Sequence, residues 1–396
     1  MTTAPLHPPP PPGPVSIVIK ALNEQAHIEA CLSSALRSLQ GIGGEVVLAD
    51  SCSSDATVAL ARRYPVRIVQ LAHASERCCG IGAQLGYEHA RGSLIYVMDG
   101  DMELQEGFLQ AAASVLAQNP QLAAVGGQVL ERNLAHLEYR ARNDKPMAQR
   151  RSAAVDRLDG GGLYRRAAIE SVAYLSDRNL HSYEEYELGL RLRRAGWGLW
   201  RLPIDAVSHE GHRTAALALL WRRWRSGYAW GAGELLRACW GDRLRWLEVW
   251  RLREMRLYLG LLAMWLLLGA WLLASWPHPL PALAAAALSA CAVLLLTSWR
   301  KRSLTRGLYA LLAWHVNAAG LLRGLLRKRR SPTRPIASRL IQDAPSCAPP
   351  SASSSTPSST PSSAPSSTPS PAPSPAPSWP ATPGTPPEQR PSHVLV

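Results

Sequence analysis

Between Val15 and about Val129 the apolar positions of the chain switch between two periods. Short β-branched runs (VSIVI, EVVLA, VRIVQLA, SLIYVMD, LAAVGGQVL) alternate with stretches of helical period at 25–39, 55–64, 77–90 and 105–118. Runs that are apolar at nearly every position suit strands buried on both faces. The pattern therefore predicts an α/β fold in which helices cover a mainly parallel, Rossmann-like sheet. Ligands of such sheets sit outside the carboxyl ends of the strands. Polar residues gather at those ends: Asn23 and Glu24, Asp50 and Ser51, Asp99 and Asp101.

Residues 131–158 are charged and irregular. A GGGLYRR segment, a helix over 167–172, the helical EEYELGLRLRRAG, a strand GLWRLP and the segment VSHEGH follow. They read as an acceptor-side extension of the same domain, which spans 15–235. A basic juxtamembrane helix is expected over 236–256.

Leu257 to Trp276 and Leu280 to Trp299 are two runs of about 20 residues, both free of charge, joined by Pro277, His278 and Pro279. Such runs match a hydrocarbon layer ~30 Å thick, and Trp276 and Trp299 stand where interfacial indoles are expected. The pair predicts a transmembrane helical hairpin over 257–299; two buried core helices are the alternative. Arg243, Arg245, Arg251, Arg253 and Arg256 precede the hairpin, Arg300, Lys301, Arg302 and Arg306 follow it, and the link has no Lys or Arg. The positive-inside bias puts both flanks and the large domain in the cytosol, as a multi-pass protein of the inner membrane. Leu304 to Leu326 is interrupted by Arg306, His315, Asn317 and Arg323, which suits a helix lying in the interface, with Lys328 to Arg330 meeting anionic headgroups. The segment 300–343 is thus expected to be basic and interfacial.

Composition refines this picture. Lys and Arg number 43 against 29 Asp and Glu, a net charge of +14. The excess collects around the hairpin, so membrane lipids and not nucleic acid are the expected partner. The seven cysteines are scattered and contain no C-x-x-C, which argues against a disulfide framework or structural zinc and for a reducing compartment. The Pro-rich lead 1–14 is uncharged and unlike a signal peptide, and the Ser/Pro-rich tail 344–396 cannot bury a core; both are expected to be disordered.

Three constellations can carry chemistry. Asp99 and Asp101, in MDGDMEL after a strand, can share a hard cation such as Mg²⁺ or Mn²⁺, which also takes phosphate oxygens; a surface turn is the plain alternative. Asp50, in ADSCSSD, is placed to accept from a nucleobase or ribose, while Ser53 and Asp55 suit a turn and a helix cap. Glu184, Glu185 and Glu187 open an amphipathic helix, where one carboxylate can serve as a general base or all three can complement the helix dipole.

In order, VSIVIKALNE, VVLADSCSSD, LIYVMDGDM, GGLYRR and EEYELGLRLRRAG resemble the family 2 glycosyltransferases of GT-A fold, over about residues 15–230. The resemblance implies a metal-dependent, usually inverting enzyme that uses a nucleotide-sugar donor. It implies donor contacts from Ala21, Asn23, Glu24, Asp50 and Asp99. Asp99 and Asp101 would hold Mg²⁺ or Mn²⁺, with Asp101 the direct ligand and His209 a third ligand or an ordinary loop histidine. Gly161, Gly162, Tyr164 and Glu184 fall on the acceptor side, and Glu185 takes the general-base position. Arg77 reads either as a pyrophosphate contact or as a surface ion pair.

The chain departs from the family pattern at Lys20, Leu22, Ser51, Gln84 and Glu185, which leaves the base open between uridine, the default, and guanosine. At Trp221 to Arg225 it keeps the Arg-Trp step of processive relatives without their Gln. Two spans are also few for threading a polymer, so transfer of a single sugar to a glycan or lipid-linked acceptor is favoured. The rivals are an inactive scaffold of the same fold and, through Gly80, Gly82 and Gly86, an NAD-dependent oxidoreductase. In the latter case the glycines stand too far from their preceding strand.

Overall fold

A computed structural model describes residues 14–132, 151–210 and 215–343. The lead, the tail, most of the irregular stretch after residue 131, and His212 lie outside the described residues.

The chain runs through β1 (Val15–Ala21), α1 (Ile28–Ser38), β2 (Gly44–Asp50), α2 (Thr57–Ala61), β3 (Arg67–Leu71), α3 (Cys79–His89), β4 (Leu94–Asp99) and β5 (Met102–Leu104). It continues through α4 (Phe108–Gln118), β6 (Leu122–Glu131), β7 (Ala153–Ala154), β8 (Gly162–Arg165), α5 (Arg166–Ser171), α6 (Glu184–Arg194) and β9 (Gly198–His209). Then come α7 (Ala216–Arg225), α8 (Gly231–Ala238), α9 (Arg243–Trp250), α10 (Arg253–Ala274), α11 (Leu280–Lys301), α12 (Leu304–Leu326) and β10 (Ser338–Gln342).

The strands form one sheet in the order β10-β3-β2-β1-β4-β8-β6-β9-β5, with β7 on β9. From β3 to β4 the neighbours are parallel, and their continuous apolar runs are buried on both faces as the pattern predicts. The other half is mixed: β6 and β9 are parallel, whereas β8 is antiparallel to both β4 and β6, and β5 is antiparallel to β9. The sheet is therefore mixed. The short run GLYR joins β4 to β6, and its neighbours rather than its composition set its direction.

One apolar layer packs α1 and α4 against one face (Ile28, Leu32, Phe108, Leu109), and another packs α3, α5 and α6 against the other (Ile81, Leu85, Ile169, Leu188). The glycines of α3 serve that second layer. A Cβ at Gly86 would stand 2.3 Å from Val18 Cγ1, and one at Gly80 would stand 2.1 Å from the Asp177 carbonyl oxygen. Close helix-to-strand packing thus accounts for the spacing that resembles a dinucleotide fingerprint.

The helices α10 and α11 are 22 residues each and apolar enough to cross a membrane. Only 6% and 11% of their apolar windows are buried, and Leu266 is 75% exposed, so they are not core helices. α12 packs on α8, α10 and α11, with Gly307, Ala310, Ala313, Gly320 and Gly324 buried at these contacts. A third apolar cluster (Leu180, Tyr186, Leu235, Leu252, Met255, Leu321) joins α6, α8, α10 and α12.

The residues after α12 overturn an expectation. Arg329 pairs with Asp177 at 2.9 Å and Arg330 pairs with Glu76, so these charges meet carboxylates of the domain and not headgroups. Arg178 donates to the Arg334 carbonyl at 2.6 Å, Ile336 enters the core, and β10 lies antiparallel on β3. Partners more than 100 residues apart in sequence hold this return segment against the sheet edge.

Candidate active site

The carboxyl ends of β1, β2 and β4 meet in two interlocked turns. Asn23, at φ +59°, donates its backbone N–H to Ser53 Oγ at 2.9 Å, and its side-chain oxygen accepts from the Ser54 N–H at 2.8 Å. The Glu24 N–H donates to Thr57 Oγ1 at 2.8 Å. Asp55 accepts from the N–H groups of Thr57 and Gln25, at 3.0 and 3.1 Å, the capping role its position suggests. The Ala21 carbonyl accepts from the Ser51 N–H at 2.9 Å.

Two donor-side expectations are placed differently. Asp50 is fully buried, and its Oδ2 accepts from the Ser53 N–H at 3.0 Å and from Gln70 Nε2 at 2.8 Å. Its carboxylate shapes the turn from beneath. Arg77 also turns inward, donating to the Ser51 carbonyl at 2.7 Å and to the Cys52 carbonyl. It clamps the 51–52 backbone and makes no surface ion pair among the described residues.

The two acids of MDGDM have separate partners. Asp99 accepts an ion pair from Lys20 Nζ at 2.9 Å. Asp101 Oδ2 lies 3.2 Å from His209 Nε2, and His209 Nδ1 lies 2.7 Å from Glu131 Oε2. The register places His209 opposite Met102 on β5 and opposite Glu131 on β6, which fixes the ring between the two carboxylates. Burial works against a charged ring, but the bonds to Asp101 and Glu131 outweigh it and push the imidazole up to about 10. Glu24 stands close by. Burial, then Asp101 and Asp99, push it up to about 8.

This donor set fits a divalent cation. A carboxylate and an imidazole side by side offer hard oxygen and nitrogen ligands, and a carboxylate on the far ring nitrogen is the usual support of a metal-bound histidine. Asp101 and His209 are the residues that would hold it. Among the described residues no group of three or more His, Cys, Asp or Glu side chains is placed to hold a metal ion.

A cleft beside this turn is lined by Lys20, Asp99, Gly160, Tyr164, Glu184 and Glu185. Glu185 Oε1 accepts the Gly160 N–H at 3.3 Å. Gly161, at φ +104°, has no room for a side chain, because a Cβ would stand 2.5 Å from the Val97 carbonyl oxygen. Gly162 and Tyr164 continue the same backing strand β8, with Gly162 opposite Val97 and Tyr164 opposite Ile95. Burial, followed by the charges of Asp159 and Glu184, pushes the Glu185 carboxyl up to about 8.

Residues 16–172 match the model of glycosyl transferase family 2. Over this segment the chain is similar to the family 2 glycosyltransferases. A curated relative, the dolichol-phosphate mannosyltransferase of Pyrococcus furiosus, is 30% identical over 93 residues, or 22% of this chain. The match spans about a quarter (26%) of that relative. Among solved structures, the mannosyltransferase PcManGT of Pyrobaculum calidifontis, in complex with GDP-Man and Mn²⁺, is 18% identical with a TM-score of 0.49, covering 78% of this chain and 87% of that one. TarS of S. aureus is 15% identical with a TM-score of 0.42, covering 58% of this chain and 44% of that one.

The fold thus brings Asp101 to His209, and Asp99 with Glu184 and Glu185 to one cleft. Asp50 is buried beneath the turn, and the half-buried Arg77 donates to the 51–52 backbone. Glu131 was not anticipated as a site residue. Its only signal is its position as the polar residue that ends LAAVGGQVL, at the same rim as Asp99. The ionic role of Lys20 was not anticipated either.

Proposed function

We propose that the protein is a membrane-anchored glycosyltransferase that moves one sugar from a nucleoside-diphosphate sugar to a hydroxyl of a glycan or lipid-linked acceptor, with inversion. The observation that carries this reading is Glu185. It is a half-buried carboxyl pushed up to about 8, in one cleft with Asp99. A base near neutrality is suited to taking a hydroxyl proton. In the reaction the acceptor oxygen attacks the anomeric carbon, its proton passes to Glu185, and the bond to the diphosphate breaks with its electron pair on the leaving oxygen. Asp101 and His209 would hold Mg²⁺ or Mn²⁺, which supplies charge neutralisation to the leaving diphosphate.

The family supports a nucleotide-sugar donor. UDP is favoured, GDP is the alternative, and the mannosyltransferase name of the Pyrococcus relative puts mannose among the sugars to test. A panel of UDP- and GDP-sugars with Mn²⁺, scored by melting temperature, is expected to single out one base, because a ligand of the folded state raises the melting point. NAD stabilising the chain where no sugar nucleotide does would overturn the reading.

The apolar helices α10 and α11 and the Lys/Arg bias of their flanks support an inner-membrane hairpin with the domain on the cytosolic side. A reporter fused after Arg302 is expected to be active in the cytosol. Periplasmic activity of that fusion would reverse the topology.

A further inference from the structure

Lys20 is the one basic side chain that lines the cleft between the two halves of the site among the described residues. It lies opposite Asp99 in the β1–β4 register, and its stem packs beside Gly82 of α3. Its ammonium is 2.9 Å from Asp99 Oδ1 and 3.5 Å from Glu184 Oε1. Asp99 belongs to the turn on the donor side, and Glu184 precedes the base on α6. One half-buried cation therefore bridges strands that carry the donor turn and the helix that carries the base.

We propose that Lys20 is a positioning residue, tying Asp99 to Glu184 so that Glu185 is set at the donor's anomeric centre as the carboxylate left to take a proton. The inference rests on the transferase reading above. Removing the shared ammonium takes a positive charge from both carboxylates, and the loss weighs more on Glu184, 13% exposed, than on Asp99, which is 46% exposed. Glu185 would then face Glu184, Asp159 and Asp99 with less positive charge to offset them. The other groups near it are Arg157, Tyr164 and, from the segment after α7, Tyr228. Arg223 lies over the ring of Tyr228. Cys79 of α3 adjoins Lys20 and Glu184. Of these, Lys20 is the charge whose loss acts on both acids at once.

The test uses the full-length chain in detergent or nanodiscs, with the sugar nucleotide from the panel that the wild type turns over. Lys20→Met is expected to bind UDP with Mn²⁺ within about threefold of wild type. It should lose kcat by about 10²-fold, and the rising limb of its rate–pH profile should move up by about one unit, the scale of losing an opposite charge at this range. Lys20→Arg is expected to return the limb to its wild-type position. A limb that stays in place in Lys20→Met, or UDP affinity that falls as far as kcat, overturns the proposal. Failure of both Lys20→Met and Lys20→Gln to fold would assign Lys20 to the stability of the fold and overturn it equally. A wild type that turns over no sugar nucleotide brings down the transferase reading itself, an outcome distinct from an unmoved limb.

Discussion

Asp101→Ala is expected to lower sugar transfer by about 10³-fold, roughly 4 kcal/mol of transition-state stabilisation, and to abolish the Mn²⁺-dependent rise in melting temperature with UDP. The size follows from the architecture of the seat. Asp101 and His209 are 3.2 Å apart, and Glu131 holds the far ring nitrogen at 2.7 Å, so the imidazole is aimed by protein groups. Alanine leaves a single ligand, and a hard dication binds weakly to one imidazole. Asp99→Asn makes the comparison sharp. Its carboxylate is engaged by Lys20, so this variant is expected to retain most of the Mn²⁺ affinity that Asp101→Ala loses. If calorimetry finds Mn²⁺ bound equally well by the Asp101→Ala chain, the seat lies elsewhere.

The parallel half of the sheet could be read from the chain because strands buried on both faces must be apolar throughout, and VSIVI, EVVLA and LIYVM are. The mixed half could not. GLYR is too short to show a period, and Pro203 divides what proves to be one strand, β9, with register shifts against β6. Asp99 and Asp101 were visible as a pattern, but their separate partners were not. Lys20, Asp99 and Glu184 come from three distant segments, and only the β1–β4 register with the packing of α6 brings them within ion-pair range. The return segment 327–343 misled for a related reason. Its arginines look like a membrane-facing run until Asp177, Glu76 and Glu234 are seen to partner them. Local composition reports what a residue is able to pair with, and the fold decides which partner is close.

The same distinction makes Glu185→Gln the most informative substitution in the acceptor half. Glutamine keeps the shape of the side chain and an oxygen to accept the Gly160 N–H, but it cannot take a proton at neutral pH. Transfer is therefore expected to fall by about 10²–10⁴-fold, while UDP and Mn²⁺ affinity stays within about twofold. In the wild type the rate should rise with pH through about 8, because the carboxyl must lose its proton before it can serve as base. That limb should be missing from the variant. Stability supplies an independent reading. A carboxyl raised from the ordinary range to about 8 by folding stabilises the chain fully only below its unfolded value, and this contribution is lost as pH climbs through the folded value. The variant carries no such proton, so relative to wild type it should melt higher at pH 9 than it does at pH 5. Should the Gln chain transfer sugar at the wild-type rate with an unchanged profile, Glu185 is no base, and Glu184, held against Lys20, becomes the carboxylate to examine.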